Sequence, residues 1–427
     1  MSELGVVEIC AGAGGQSLGL HLAGFRHRLA IEIDVKAAST LRKNLARIQP
    51  DDDATKIVAI GDVADSTVWD PESFRGVDLL AGGVPCPPFS IAGKQLGAND
   101  ERDLFAWAVE LAGRMQPRAI LLENVRGLSS PRFAGYRQAV IDRFDELGYE
   151  ADWELLHASD YGVPQSRPRF VLVALRPEDA PYFKWPEKKP TNETVGTTLF
   201  DLMAARGWPG AEAWAMERAI GIAPTIVGGS KKHGGADLGP TRAKRAWAGL
   251  GVDGLGIANE APGPDVDSSF TPKLTCQMVE RLQGWNGAEY EWQFEGAKTS
   301  HYRQVGNAFP PPVARAVGDS IARALLHEGT PRANAPERTA HDEVYRVLRD
   351  AGDWVTMSKM QRLLGSAFTS TEVALRIDAL AHDFEIESAI RGGRPAWRLG
   401  EFKAFRGEDD HQRHIAFTQQ RLRGQIS

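Results

Sequence analysis

Cysteine is scarce in this chain of 427 residues. Three cysteines cannot frame a fold with disulfides, so a reducing compartment is expected. Long apolar runs are missing as well. No uninterrupted stretch approaches the roughly 18 residues of a membrane span, so no membrane partner is expected. The start does not read as a secretory leader, because charged Glu3 and the run Val6-Val7-Glu8-Ile9 lead straight into glycines. A cytoplasmic location follows as the expectation. Positive charge is not in excess either. Fifty Lys and Arg stand against 56 Asp and Glu, for a net charge of −6. That balance argues against nonspecific nucleic-acid binding by the whole surface, but leaves room for a local basic cleft. No internal repeat is found. What is present is ordinary globular composition, 42% hydrophobic and 25% charged. At about 150 residues per domain, the length allows two or three domains.

The first part alternates short apolar runs with helical patterns. Val6–Ile9, Leu29–Ile31, Ile57–Ile60, Val77–Ala81, Ala119–Leu122 and Phe170–Leu175 read as strands. Gln16–Ala23, Ala37–Leu45, Leu104–Arg114 and Phe133–Leu147 read as helices. Such alternation predicts an α/β fold, a parallel doubly wound sheet covered on both faces. From Pro177 to Pro272 the rhythm breaks and Pro, Gly and Trp become frequent, which marks a loop-rich domain or insertion. A helix returns after Pro310, with Val313, Val317, Ile321 and Leu325 on one face. Gly329 to Pro336 reads as a linker.

A small α+β unit follows. Val344, Val347 and Leu348 form one helical stripe, closed by Gly352, and Met360, Leu363 and Leu364 form another. Thr369 with Glu372 fits a capping box ahead of Val373, Ile377 and Leu380. Phe384–Ile390, the turn Arg391-Gly392-Gly393-Arg394 and Ala396–Leu399 read as a hairpin. Three helices and a hairpin suggest a winged helix. The domain expectation is therefore 1–180, completed by 301–328; 181–300; 337–400; and a polar tail, 401–427.

Four groups of residues carry chemistry. The run Glu8-Ile9-Cys10-Ala11-Gly12-Ala13-Gly14-Gly15 places glycines between a strand and a helix, where backbone can approach a ligand closely. Glu32 lies 32 − 12 = 20 positions beyond Gly12, where such folds hold a ribose hydroxyl, and Asp62 follows the third strand at the same level. The spacing Gly-x-Gly-Gly favours a single nucleoside-like cofactor over a dinucleotide. The second group is Gly82-Gly83-Val84-Pro85-Cys86-Pro87-Pro88-Phe89-Ser90. A lone cysteine is ordinarily a small buried hydrophobe, but prolines on both sides display Cys86 rigidly after a buried strand, as a covalent nucleophile requires. Cys10 and Cys276 have no such setting. In the third group, Leu121-Leu122-Glu123-Asn124-Val125, a carboxylate at the end of a buried strand is costly unless it works. In the fourth, Gln165-Ser166-Arg167-Pro168-Arg169, alternation puts Gln165, Arg167 and Arg169 on one face.

Taken in order, and with Gln304-Val305-Gly306-Asn307-Ala308 after them, these motifs resemble the DNA cytosine C5-methyltransferase family over roughly residues 5–325. The resemblance implies a Rossmann-like methyltransferase domain, a target-recognition domain in the interval after Arg169, and S-adenosylmethionine as cofactor. It implies cofactor contacts from Cys10, Ala11, Gly12, Gly14, Gly15, Glu32, Ile33, Asp62, Val63, Pro85 and Asn307. It implies catalysis by Cys86, Glu123, Arg167 and Arg169, with Arg167 orienting the base at O2 and holding Glu123. DNA contacts are expected from Ser90, Gln95, Lys231, Lys232, His233 and Arg242, and no metal. The expected partners are duplex DNA and a separately encoded restriction endonuclease, with the chain acting as a monomer. Three positions depart from the family pattern: Cys10 stands where Phe is usual, Pro87 where Gln is frequent, and Met278 where Glu is frequent. Two other readings stand beside this one: an RNA (tRNA) cytosine-5 methyltransferase of the same fold, and a DNA-binding regulator acting through the carboxy-terminal winged helix. Against the second, the candidate recognition helix from Thr371 to Asp383 sets Glu372, Asp378 and Asp383 against Arg376.

Overall fold

Burial marks the first strand as an inner one. In β1 (Leu4–Ile9) all six residues are buried, as a strand covered on both faces must be. Helix α1 (Gly15–Leu22) follows, then β2 (Phe25–Glu32), α2 (Val35–Ile48), α3 (Ala54–Ile57), β3 (Val58–Ile60) and β4 (Leu79–Gly82). Next come α4 (Leu104–Met115), β5 (Ala119–Val125), α5 (Ala134–Glu146), β6 (Glu150–His157), β7 (Gln165–Ser166) and β8 (Pro168–Leu175). The later elements are α6 (Val195–Ala204), α7 (Ala211–Ala213), β9 (Ala223–Pro224), α8 (Thr241–Gly249), α9 (Cys276–Gln283), α10 (Lys298–Asn307) and α11 (Pro311–Leu325). The chain continues with α12 (Glu343–Ala351), β10 (Val355–Thr356), α13 (Met357–Leu364), α14 (Ser370–Leu380), β11 (Phe384–Arg391) and β12 (Arg394–Phe402). This is a computed structural model that describes residues 3–85, 104–228, 236–333, 342–365, 368–381 and 383–402. Cys86, Pro87, Ser90, Gln95, Lys231, Lys232 and His233 lie outside the described residues.

Seven strands form one sheet in the order β3-β2-β1-β4-β5-β8-β6, and the pairs β3–β2, β2–β1, β1–β4 and β4–β5 are parallel. The order reverses between β1 and β4. Open α/β sheets bind ligands at that switch point, outside the carboxyl ends of the strands. Cys10 follows β1, Glu32 ends β2, Asp62 follows β3, Gly83 follows β4, and Glu123 lies near the end of β5. The topology alone therefore gathers the carboxylates and the glycine loops at one edge. Among the described residues, no helix is long and apolar enough to cross a membrane.

The chain divides into two compact units. The first comprises Met1–Val84, Arg114–Asn124 and Trp153–Arg332. In one of its cores, Val6, Leu79, Leu121, Val171 and Val173 bury with Val313, Val317, Ile321 and Leu325, the α11 stripe read from the sequence. In the other, Leu199, Trp214, Trp247, Leu282 and Val305 bury with Leu18, Leu41, Leu45 and Val58. The interval after Arg169 thus shares its core with the first strands and helices. The second unit comprises Pro85–Gly113, Val125–Asp152 and Ala333–Ser427. In it, Val344, Leu348, Val355, Met360, Val373, Ile377, Leu380 and Phe384 cluster with Ala139 of α5. Arg349 reaches Asp142 of the same helix at 2.6 Å. Strands β10, β12 and β11 form a three-stranded antiparallel sheet.

Candidate active site

The glycine loop after β1 is held open by its own backbone. Cys10, Gly12 and Gly14 all have positive φ (51°, 58° and 94°). A side chain at Gly14 would lie 2.5 Å from the Trp292 ring and 2.8 Å from Leu41, whereas at Gly12 nothing stands within 4 Å. The loop is therefore packed on one side and clear on the other. Gly12 N donates to Glu32 Oε2 and Asp34 N to Glu32 Oε1, both at 2.7 Å. Each carboxylate oxygen keeps further lone pairs for a hydroxyl. Burial pushes the Glu32 pKa up, and the backbone donors at Asp34, Gly12 and Ile33 pull it partly back. Ile33 beside it is exposed, Val63 is buried, and Asp62 fixes its own turn by accepting from Ala64 N at 2.9 Å. Burial, then the Glu32 and Asp62 charges, also push the Cys10 thiol up, which keeps it neutral. Acceptors, an apolar shelf and bare glycine suit a nucleoside carrying hydroxyl and amine donors.

Behind this cradle, Glu8 is buried in β1, accepting from Ser17 Oγ (2.7 Å) and bonded to His27 Nε2 (2.8 Å). It ties β1 to α1 and β2.

Gly83 links the cradle to the acid. A side chain there would lie 3.4 Å from Glu123 Oε2 and 3.9 Å from the Cys10 carbonyl oxygen. Glu123 is buried and forms an ion pair with Arg169 at 2.5 Å. Burial raises the Glu123 pKa, while Arg169 and then Arg167 oppose the rise. A carboxyl group so held keeps its proton to higher pH than an ordinary glutamate, as a donor to a ring nitrogen requires. Asn124 Nδ2 donates to the Val84 carbonyl at 3.2 Å, which fixes the main chain two residues before Cys86.

Gln165, Arg167 and Arg169 are all buried while Ser166 between them is exposed, as strand alternation requires. Their tasks differ. The structure puts Arg169, not Arg167, on Glu123. The Arg167 guanidinium is committed to main-chain carbonyls, Nη1 to Ile226 and Nη2 to Gly306 (2.8 Å) and Ala308 (2.9 Å). Gln165 accepts from Ile226 N and donates to Gln283 Oε1 at 2.7 Å. Arg167 and Gln165 therefore clamp the segment around Ile226 against the end of α10. Glycines let those segments touch, since a side chain at Gly228 would collide with Asn307 and one at Gly306 with Gly228. Asn307 is exposed at that contact. Beyond it, Tyr302 Oη donates to the Asp237 carbonyl at 2.6 Å. Arg242 is exposed on α8.

Residues 291–295 form a strap along one face of α2. Asn44 and Gln293 bond reciprocally (2.8 and 2.9 Å), Arg47 reaches the Glu291 carbonyl, and Glu295 N donates to Thr40 Oγ1. The strap carries Trp292, buried, with its indole Nε1 donating to the Ala13 carbonyl at 2.7 Å inside the glycine loop. Trp292→Phe keeps a ring and deletes that bond. A buried carbonyl left unpaired costs about 1–3 kcal/mol, so the affinity for the methyl donor is expected to fall by about tenfold with duplex binding unchanged. Calorimetric titration with donor and separately with DNA checks this.

Met278 has an explanation. It sits at the third position of α9, where Thr275 Oγ1 accepts its N–H and its Sδ accepts the Thr275 N–H at 3.4 Å. Sulfur thus fills the acceptor role that a glutamate takes in a capping box. The Cys276 thiol, half-buried, is pushed up to about 11 by burial first, which leaves it unreactive.

Comparison with known proteins identifies the family. Residues 4–323 match the family model for C-5 cytosine-specific DNA methylases. The chain is 59% identical over 423 residues to the type II methyltransferase M.NaeI of Lentzea aerocolonigenes, covering 99% of this chain and all of that one. It is 49% identical over 330 residues to the type II methyltransferase M.NgoMIV of Neisseria gonorrhoeae, covering 75% of this chain and 98% of that one. A crystal structure of Spodoptera frugiperda DNMT2 shares the fold (TM-score 0.50, 16% identity, 76% of this chain and 99% of that one). The family model and the two type II methyltransferases favour the DNA reading over the RNA one. The chain belongs to the C-5 cytosine-specific DNA methylase family, enzymes that methylate cytosine in DNA at carbon 5.

Proposed function

We propose that the chain methylates one cytosine within a specific duplex sequence, with S-adenosylmethionine as donor, as the modification partner of a separately encoded restriction endonuclease. It acts as a cytoplasmic, nucleoid-associated monomer. The observation that carries this reading is Gly83, which sets the open glycine loop and the Glu123–Arg169 pair side by side at the switch point of the sheet.

Residues 1–180 with 301–328 form the catalytic domain, 181–300 the recognition region, 337–400 a winged-helix-like accessory domain and 401–427 a tail. Cys86 is the nucleophile. Its thiolate adds to C6 of the cytosine, breaking the C5–C6 double bond, while Glu123 protonates or hydrogen-bonds N3. Carbon 5 becomes an enamine carbon. S-adenosylmethionine, when bound, supplies the electrophilic methyl group that this carbon takes. Loss of the C5 proton to a base then expels the Cys86 thiolate and restores the aromatic ring. Both faces of the ring must be reached, so the base leaves the stack. Arg169 holds Glu123 at the base, and Arg167 holds the main chain around it. Gly12, Glu32, Ile33 and Asp62 hold the donor, with Cys10, Ala11, Gly14, Gly15, Val63, Pro85 and Asn307 shaping its site. Ser90, Gln95, Lys231, Lys232, His233 and Arg242 contact the duplex.

Bisulfite sequencing of DNA from cells expressing the protein, with tRNA from the same cells as the comparison, tests the reading. Methylcytosine confined to one sequence context in DNA is expected. Methylation of tRNA alone contradicts it.

A further inference from the structure

The carboxy-terminal elements carry a basic face distinct from their acidic helix. Helix α14 cannot serve as that face. Its one cation, Arg376, is spent on Asp342 (3.8 Å) and lies over the Phe368 ring, and Glu372 is engaged in capping Thr369. The hairpin is different. Arg391 and Arg394 are direct partners across the turn Gly392-Gly393, whose φ values of 56° and 74° make it a tight two-residue turn. Like charges placed opposite each other in a hairpin are destabilising, yet both are kept and exposed.

The surrounding residues hold them there. Trp354 lies under Arg391 at 4.9 Å and under Arg398 at 5.3 Å. Arg394 Nη1 donates to Ser358 Oγ at 3.0 Å, which joins the hairpin tip to the first turn of α13. The adjacent Lys359, and Arg362 one turn further on, are exposed. None of Arg391, Arg394, Lys359 and Arg362 is paired with a carboxylate among the described residues. Nearby acids are Glu387, bound to Arg398 at 2.6 Å, and exposed Asp353, while Glu385 and Glu401 stand at the far end of the hairpin from its turn.

We propose that the β11–β12 hairpin and α13 form a second contact surface for duplex DNA, one that engages phosphates and does not read bases. Four cations without a carboxylate partner among the described residues, two of them held against mutual repulsion, complement a polyanion. The proposal rests on DNA being the substrate and adds a site that the methylation chemistry does not require. About a quarter of this chain has no counterpart in the M.NgoMIV match, which covers 98% of that methyltransferase.

The test uses the full-length protein and fluorescence anisotropy with a labelled duplex across a salt series. Neutralising one phosphate-bound cation lowers the slope of log K against log salt by about 0.9. Arg391→Gln with Arg394→Gln is therefore expected to lower the slope by about two and to weaken binding at moderate salt by about tenfold or more. Lys359→Gln with Arg362→Gln, on an exposed helix face, is expected to have a similar effect. Arg391→Lys with Arg394→Lys keeps the charges and should keep the slope, which separates charge from packing on Trp354. Methyl transfer at saturating DNA should stay at the parent level in every variant. Unchanged slope and affinity in both glutamine pairs overturn the proposal and point to a protein partner instead, with exposed Leu363 and Ile390 as its apolar contacts. Loss of methyl transfer with an unchanged slope would strike the catalytic reading of these domains, a separate result.

Discussion

Cys86→Ser is expected to lower methyl transfer by about four orders of magnitude or more, while donor and duplex bind as they do to the parent enzyme. The step that defines the mechanism is addition of an anionic sulfur to C6. A serine hydroxyl at the same place is not ionised near neutral pH and has no adjacent base in the proposed machinery. The donor cradle should not notice the change, because Gly12, Glu32 and the Trp292 brace belong to β1, β2 and the strap. The measurement is incorporation of labelled methyl groups into duplex DNA, paired with donor titration. Turnover within tenfold of the parent contradicts covalent catalysis; loss of donor binding would mean that the substitution disturbs the site instead.

Glu123→Gln is expected to lower kcat by about 10²–10⁴, the range of a positioned general acid. The sign of its pH dependence follows from burial. Desolvation dominates and raises the Glu123 pKa, with Arg169 and Arg167 opposing. The carboxyl therefore keeps its proton to higher pH than an ordinary glutamate, and the acid-dependent limb of kcat falls as pH rises through that raised value. Glutamine cannot donate an acidic proton, so this limb should vanish and leave a flat, low rate. It also leaves the buried Arg169 guanidinium without its anion, so base positioning and proton supply fail together. Rates across pH 5–9 check this, and a variant that keeps the parent limb would remove Glu123 from the proton path.

Much of this was legible in the sequence where burial is continuous. β1 and β8 are almost wholly apolar and read plainly. β6 did not, because Glu150, Asp152 and Glu154 interrupt its apolar residues and it is only half-buried. β10 has two residues, too few for any period. Glu123 stands out as a carboxylate at the end of a buried strand, where a charge is costly, and Glu32 through its distance of 20 positions from Gly12. Arg167 and Arg169 lie two apart on one face, and spacing cannot say which one reaches Glu123. Trp292 and Tyr302 escape the sequence, and Asn124 has no role there, for a common reason: each bonds a main-chain carbonyl far away in the chain, at Ala13, Asp237 and Val84. No side-chain pattern announces such partners. Met278 broke the family pattern in sequence, and only the sulfur acceptor at Thr275 explained it.

The most direct measurement uses a duplex whose target cytosine carries fluorine at carbon 5. After methyl transfer there is no proton at C5 to lose, so the sulfur cannot be expelled and the protein stalls on its substrate. Digestion and mass spectrometry should find one DNA-linked peptide, cross-linked through Cys86, formed only with methyl donor present. Absence of that adduct, or its attachment at Cys10 or Cys276, would contradict the account.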